Sequence, residues 1–76
     1  VYYIYGEAQR PGPYRIERGM TVQQALAQGG GPTARGSSSR LRLTRTAPDG
    51  RTIETDAKLT DPVQPGDVLY VRESIF

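Results

Sequence analysis

The chain has 76 residues, ten Lys or Arg against eight Asp or Glu, and neither cysteine nor histidine. That composition removes disulfides, thiolate metal sites and the imidazole that most often serves as metal ligand or general base. A net charge of +2 permits only weak attraction to acidic polymers, and a single small domain over residues 1–76 buries roughly 60% of the surface its unfolded chain exposes.

Missing cysteine does not exclude an oxidising compartment. No stretch resembles a transmembrane span, a signal peptide or a lipidation site. The start on Val1 instead of Met, on a strand, reads as a module excised from a longer protein.

The first predicted element is a strand over Val1–Ala8, rich in β-formers. Alternation counted from Ile4 turns Tyr2, Ile4 and Ala8 to the core and Tyr3, Tyr5 and Glu7 to the other side. Exposed tyrosines on a strand mark a contact surface, or else pack on flanking loops or a neighbouring domain. Gly6 within the strand signals a bulge or a close backbone approach. Arg10-Pro11-Gly12-Pro13 has proline second and glycine third, the order of a type II turn. It predicts a hairpin to a second strand over Tyr14–Glu17, with Tyr14 and Ile16 inward and Arg15 and Glu17 in water.

Arg18-Gly19 turns the chain into a helix. Thr21 with Gln24 three residues on makes a capping box, and Val22, Ala25, Leu26 and Gly29 form one apolar face. Gly29-Gly30-Gly31 and Pro32 stop the helix after about two turns, too short to be stable without packing. The polar run Pro32–Ser39 then reads as a loop, either a connector or a binding loop.

Arg40–Arg45 alternates, with Leu41 and Leu43 inward and Arg40, Arg42 and Thr44 outward. Ala47-Pro48-Asp49-Gly50 has the pattern of a type I turn followed by a left-handed residue. The return strand Arg51–Asp56 places Ile53 inward, Leu59 anchors the following descent, and Gln64-Pro65-Gly66-Asp67 is a further Pro-Gly turn. Val68–Val71 is the most continuous apolar run, as for a central strand covered on both faces, with Leu69 and Val71 under the helix. This order predicts an α+β fold, a ubiquitin-like β-grasp: a mixed sheet of about five strands packed on one short helix. Its first and last strands lie adjacent and parallel at the sheet centre.

Catalytic chemistry finds no support. The triple glycine follows the helix, where carbonyls point, so it is a cap and not a phosphate loop. Asp49, Asp61 and Asp67 sit in turns, where carboxylates bond their own backbone. With no nucleophile or base pattern, the reading is not an enzyme, with no catalytic, cofactor or metal residue assigned. Arg40, Arg42 and Arg51, with Arg45 at the margin, could form an outward basic patch that meets carboxylate or phosphate. Glu54 and Asp56 on the return strand could equally neutralise it, leaving a solvated face.

Three spaced segments carry a family resemblance. They are Ile4–Tyr14, then Gly19–Val22 leading into Ala25-Leu26-Ala27 and Gly29-Gly30, then Val63–Val71. Together they resemble the soluble-ligand-binding β-grasp (SLBB) domain, most closely the copies in bacterial outer-membrane polysaccharide export proteins, whose ending Arg72–Phe76 also matches. Pro13 departs from that pattern, which usually has an aliphatic residue there. Proline disfavours the helical-type ψ that a type II turn asks of Gly12.

The resemblance implies a periplasmic module in an outer-membrane-associated, ring-forming exporter of capsule or exopolysaccharide, non-enzymatic and without a cofactor. Its implied partners are other domains and subunits of that ring, the polysaccharide itself and an inner-membrane co-polymerase. Contact with the membrane would come only through other parts of the parent. The alternative is direct binding of an acidic polysaccharide or other soluble ligand through Arg40, Arg42 and Arg51, with Tyr3 or Tyr5 offering a ring face. A DNA-uptake receptor module is more remote and nucleic acid is not an expected partner, because the chain shows no helix-hairpin-helix companion.

Overall fold

The computed structural model describes residues 1–73, with the side chains of 37–40 left outside that description. Strands β1 (Tyr2–Gly6) and β2 (Gly12–Tyr14) precede helix α1 (Val22–Gln28), and β3 (Gly36–Thr46), β4 (Thr52–Ala57) and β5 (Val68–Glu73) follow it. The sheet order is β2-β1-β5-β3-β4. β1 runs parallel to β5 at the centre, and the other pairings are antiparallel. This mixed five-stranded sheet with one helix is the expected β-grasp arrangement. Among the described residues no helix is long and apolar enough to cross a membrane.

The helix is held at both ends by its own sequence. Thr21 Oγ1 accepts from the Gln24 amide at 3.4 Å while Gln24 Oε1 accepts from the Thr21 amide at 3.0 Å, completing the capping box. At the other end Gly30 and Gly31 take φ of +88° and +78°. Their amides return to the carbonyls of Ala27 and Leu26, both at 3.0 Å, a Schellman closure that residues with a Cβ adopt poorly.

Val22, Ala25 and Leu26 are buried against Tyr2, Ile4, Leu41, Leu43, Leu69 and Val71. The Tyr2 hydroxyl reaches the helix, bonding the Ala25 carbonyl at 3.0 Å. Tyr14, Ile16 and Leu59 pack at the margin of this core.

Gly6 marks a close approach. A Cβ there would lie 2.4 Å from the Val71 carbonyl oxygen, and the residue has φ +85°. Beyond it the chain leaves β5, and here the structure corrects the first turn. Gly12 and Pro13 are not a turn but part of β2, paired with Ile4 and Tyr3. The connection Glu7–Pro11 bonds instead to the glycine stop. Gln9 N–H donates to Gly31 O, Arg10 N–H to Gly29 O and Thr33 N–H to Glu7 O, each at 2.9 Å, with a bridge between Ala8 and Pro32. Pro13 is tolerated because β2 is an edge strand, where a missing amide costs little.

Three further expectations change. β3 begins at Gly36, which pairs with Glu73, so the predicted loop is strand in its second half, with a register shift before Leu41. Ile53 pairs with Arg45 and so lies on the helix side of the sheet, as alternation requires, yet it remains 46% exposed. It sits on edge strand β4, beside the turn that closes the β3–β4 hairpin. β5 is central but covered on one face only: Leu69 and Val71 are buried while Tyr70 is 50% exposed.

Candidate interaction surface

The sheet face away from the helix is built by alternation and by the pairing of β1, β5, β3 and β4. Register places Tyr5, Tyr70, Arg42 and Asp56 in one row across those strands, and Tyr3, Val68, Thr44 and Glu54 in the next. Neighbouring strands stand about 4.8 Å apart, so each row is a contiguous band of side chains. Tyr3 and Tyr5 hold their rings parallel to within 4°, with centroids 6.4 Å apart. Tyr5 is 45% exposed beside Tyr70. The result is an aromatic cluster on the open face, flanked by charge.

Of the residues singled out from the sequence, Tyr3, Tyr5 and Arg42 share this face. Arg51 does not join them. It lies at the far end of the β3–β4 hairpin, where its Nε bonds Asp49 Oδ2 at 2.9 Å. The backbone of Arg40 belongs to β3, and its side chain lies outside the described residues. Arg42 Nη1 pairs with Glu54 Oε1 at 3.2 Å, a diagonal contact from one row to the next.

Arg45 is removed from the outward patch. It follows Leu41 and Leu43 on the helix side, where Nε and Nη2 grip both oxygens of Asp67 at 2.9 and 2.8 Å. The Arg45 guanidinium is held above its ordinary range, first by this hydrogen bond and against the opposing cost of burial. Asp67 is fully buried and also accepts from the Gln64 amide at 2.8 Å. The carboxylate read as a turn residue thus closes its own turn and also ties β3 to the start of β5. Asp49 and Asp61 keep to their turns, accepting from the amides of Arg51 at 3.1 Å and Lys58 at 2.9 Å.

Tyr70 is the member of the cluster that sequence reading missed. Its position in an apolar run pointed to burial, and only its alternation with Leu69 and Val71 signalled the opposite face. On the helix side, the Tyr2 hydroxyl is pushed up to about 12 by burial first, then by Tyr14 and Glu17. A cleft of about 370 Å³ opens beside the helix, lined by Glu17, Arg18, Gly19, Met20, Gln24 and Gln28. Among the described residues no group of three Asp or Glu side chains gathers where a metal ion could be held.

The SLBB domain family matches residues 1–56, from β1 into β4. The chain belongs to the SLBB family. That family is associated with soluble-ligand binding, often in polysaccharide export proteins. The match ends before the Gln64–Asp67 turn and β5, so the parallel central pair of this SLBB domain is supplied by the structure. No curated protein matches the chain.

Proposed function

We propose that this SLBB domain is a non-enzymatic structural and interaction module of a periplasmic, outer-membrane-associated polysaccharide export protein. It docks neighbouring domains or subunits of the exporter ring through the open sheet face. One observation carries the reading: Tyr5 and Tyr70 stand side by side, about half exposed, on the open face of the sheet next to Tyr3 and Arg42. Tyrosine and arginine are the residue types enriched at the energetic centres of protein interfaces. An inner-membrane co-polymerase is a further partner of the assembly, and the membrane is reached through other parts of the parent.

Direct capture of an acidic polysaccharide is the second reading, and the ion pairs weigh against it. Arg42 and Arg51 already hold Glu54 and Asp49, so an acidic chain would have to displace a carboxylate at each.

Two measurements test the choice. In the intact exporter, Tyr5→Ser with Tyr70→Ser should weaken ring assembly at least tenfold by light scattering, as for loss of interface hot spots. Unchanged assembly would sink the docking role. Titration of the isotope-labelled chain with acidic exopolysaccharide at about 0.15 M salt, where charges beyond about 8 Å are largely screened, should leave amide shifts unmoved. A saturable pattern at Arg40, Arg42 and Arg51 would favour the second reading.

A further inference from the structure

We infer that the outer edge of β4, Thr52–Asp56, docks an extended segment of a partner protein whose residues alternate between basic and apolar, added to the sheet as a further strand. This goes beyond docking through the open face and does not depend on it. The contact lies in the plane of the sheet and is made by backbone groups.

The order β2-β1-β5-β3-β4 leaves two edges, and the sequence treats them differently. On β2 the outward position belongs to a proline. Tyr3 N–H donates to Asp67 O at 2.9 Å, toward β5, so its partner Pro13 turns its backbone away from β1. A proline there has no amide to offer an incoming strand.

β4 has no such block. Ala47 N–H donates to Arg51 O at 2.7 Å, which turns Arg51 toward β3. The register then runs unbroken from Thr46 opposite Thr52 to Leu41 opposite Ala57. Antiparallel alternation therefore points the amides and carbonyls of Thr52, Glu54 and Asp56 out of the sheet. All of Thr52–Asp56 is exposed. The edge is thus an open row of N–H and C=O groups, the template on which strands add.

The side chains select the occupant. Glu54 and Asp56 are the charged residues of β4, both acidic, and both stand on the face away from the helix. Glu54 is 55% exposed even while it meets Arg42. A second copy does not fit this edge. Two β4 strands paired antiparallel would set these carboxylates against one another, and like charges opposed across strands are destabilising. The other edge of a copy is closed by Pro13. Basic residues on an incoming strand complement Glu54 and Asp56 instead. On the helix side Ile53 is 46% exposed, and an apolar residue opposite would cover it. Side chains alternate between faces along a strand, so the incoming segment alternates basic and apolar.

The test is hydrogen exchange and amide-shift titration of the labelled chain with a short blocked peptide of alternating arginine and valine, at about 0.15 M salt. Shifts should saturate at Thr52–Asp56, and exchange at the amides of Thr52, Glu54 and Asp56 should slow at least about tenfold as they become bonded. A peptide of alternating glutamate and valine, or the arginine peptide with an N-methylated backbone, should give neither effect. Glu54→Gln with Asp56→Asn should weaken binding roughly threefold to tenfold, as for two lost cross-strand ion pairs. Because Glu54 also meets Arg42, Asp56→Lys serves as the second variant and should act in the same direction. Unslowed exchange at about 1 mM arginine peptide would overturn the assignment, as would equal binding of the acidic or N-methylated peptide. So would slowed exchange at β4 that appears without peptide as chain concentration rises, the mark of a second copy, or shifts centred on Tyr3, Tyr5 and Tyr70. Each of these results leaves the ring-assembly measurement unaffected.

Discussion

The helix-side face of the sheet carries Tyr2, Ile4, Leu69 and Val71, while the opposite face, one residue out of step, carries Tyr3, Tyr5, Val68 and Tyr70. The two sets are drawn from the same two central strands and differ little in apolar character. Yet Tyr2, Ile4, Leu69 and Val71 are almost fully buried, and Tyr5 and Tyr70 are about half exposed. What separates them is the single helix, which crosses on one side only. The closed face therefore holds the domain together, and the open face is available to a partner. Substitutions on the two faces should report different quantities: stability on one, assembly on the other.

The most damaging change expected is Gly6→Ala, at the point where β1 touches β5. An added Cβ would lie 2.4 Å from the Val71 carbonyl oxygen at φ +85°. Steric conflict and left-handed strain together should cost about 3 kcal/mol or more, enough to leave a domain of this size partly unfolded. A denaturation midpoint close to that of the unmodified chain would show that the central pairing does not need this approach.

Next in size is Leu26→Ala, which empties the largest apolar position on the helix. It should cost about 2–4 kcal/mol in chemical denaturation. A loss below about 0.5 kcal/mol would mean that the helix does not close the covered face.

The third prediction uses pH to separate Tyr2 from the exposed tyrosines. Its hydroxyl is raised from the ordinary 10.0 to about 12, chiefly by burial. A folded-state value above the unfolded one means that the neutral hydroxyl favours the native state. Its contribution is fully present below pH 10 and is lost as pH rises through about 12. The midpoint of denaturation should thus fall across that alkaline window, and Tyr2→Phe should flatten the fall. An equal slope in the Phe variant would assign the alkaline loss to other groups.

The smallest effect is the sharpest discriminator between the faces. Tyr5→Ser and Tyr70→Ser should each change the stability of the isolated domain by about 0.5 kcal/mol or less, as at surface positions, despite their effect on assembly. If thermal unfolding shows either to be as costly as Leu26→Ala, the open face belongs to the core and the docking reading loses its basis.

Much of this was legible in local pattern. The Thr21–Gln24 box, the Gly29–Gly31 stop and the turns at Ala47–Gly50 and Gln64–Asp67 are decided by residues within a few positions of one another. Alternation likewise placed Tyr2, Ile4, Leu41 and Leu43 inward and Tyr3 and Tyr5 outward. Of the candidate surface, Tyr3, Tyr5 and Arg42 could be picked from sequence, but not that register would bring Tyr70 between them.

Tertiary structure decided the rest, because periodicity tells which side of a strand a residue takes but not what, if anything, lies over it. Ile53 has the inward parity and stays exposed at the edge. Arg45 has the same parity and becomes the partner of buried Asp67, 22 residues away. Arg10–Pro13 holds the residues of a tight turn, but Glu7–Arg10 pairs with the glycine stop and draws Gly12 and Pro13 into β2. A local turn preference of Pro and Gly is outweighed when backbone groups three strands' length apart in sequence find partners only in the folded chain.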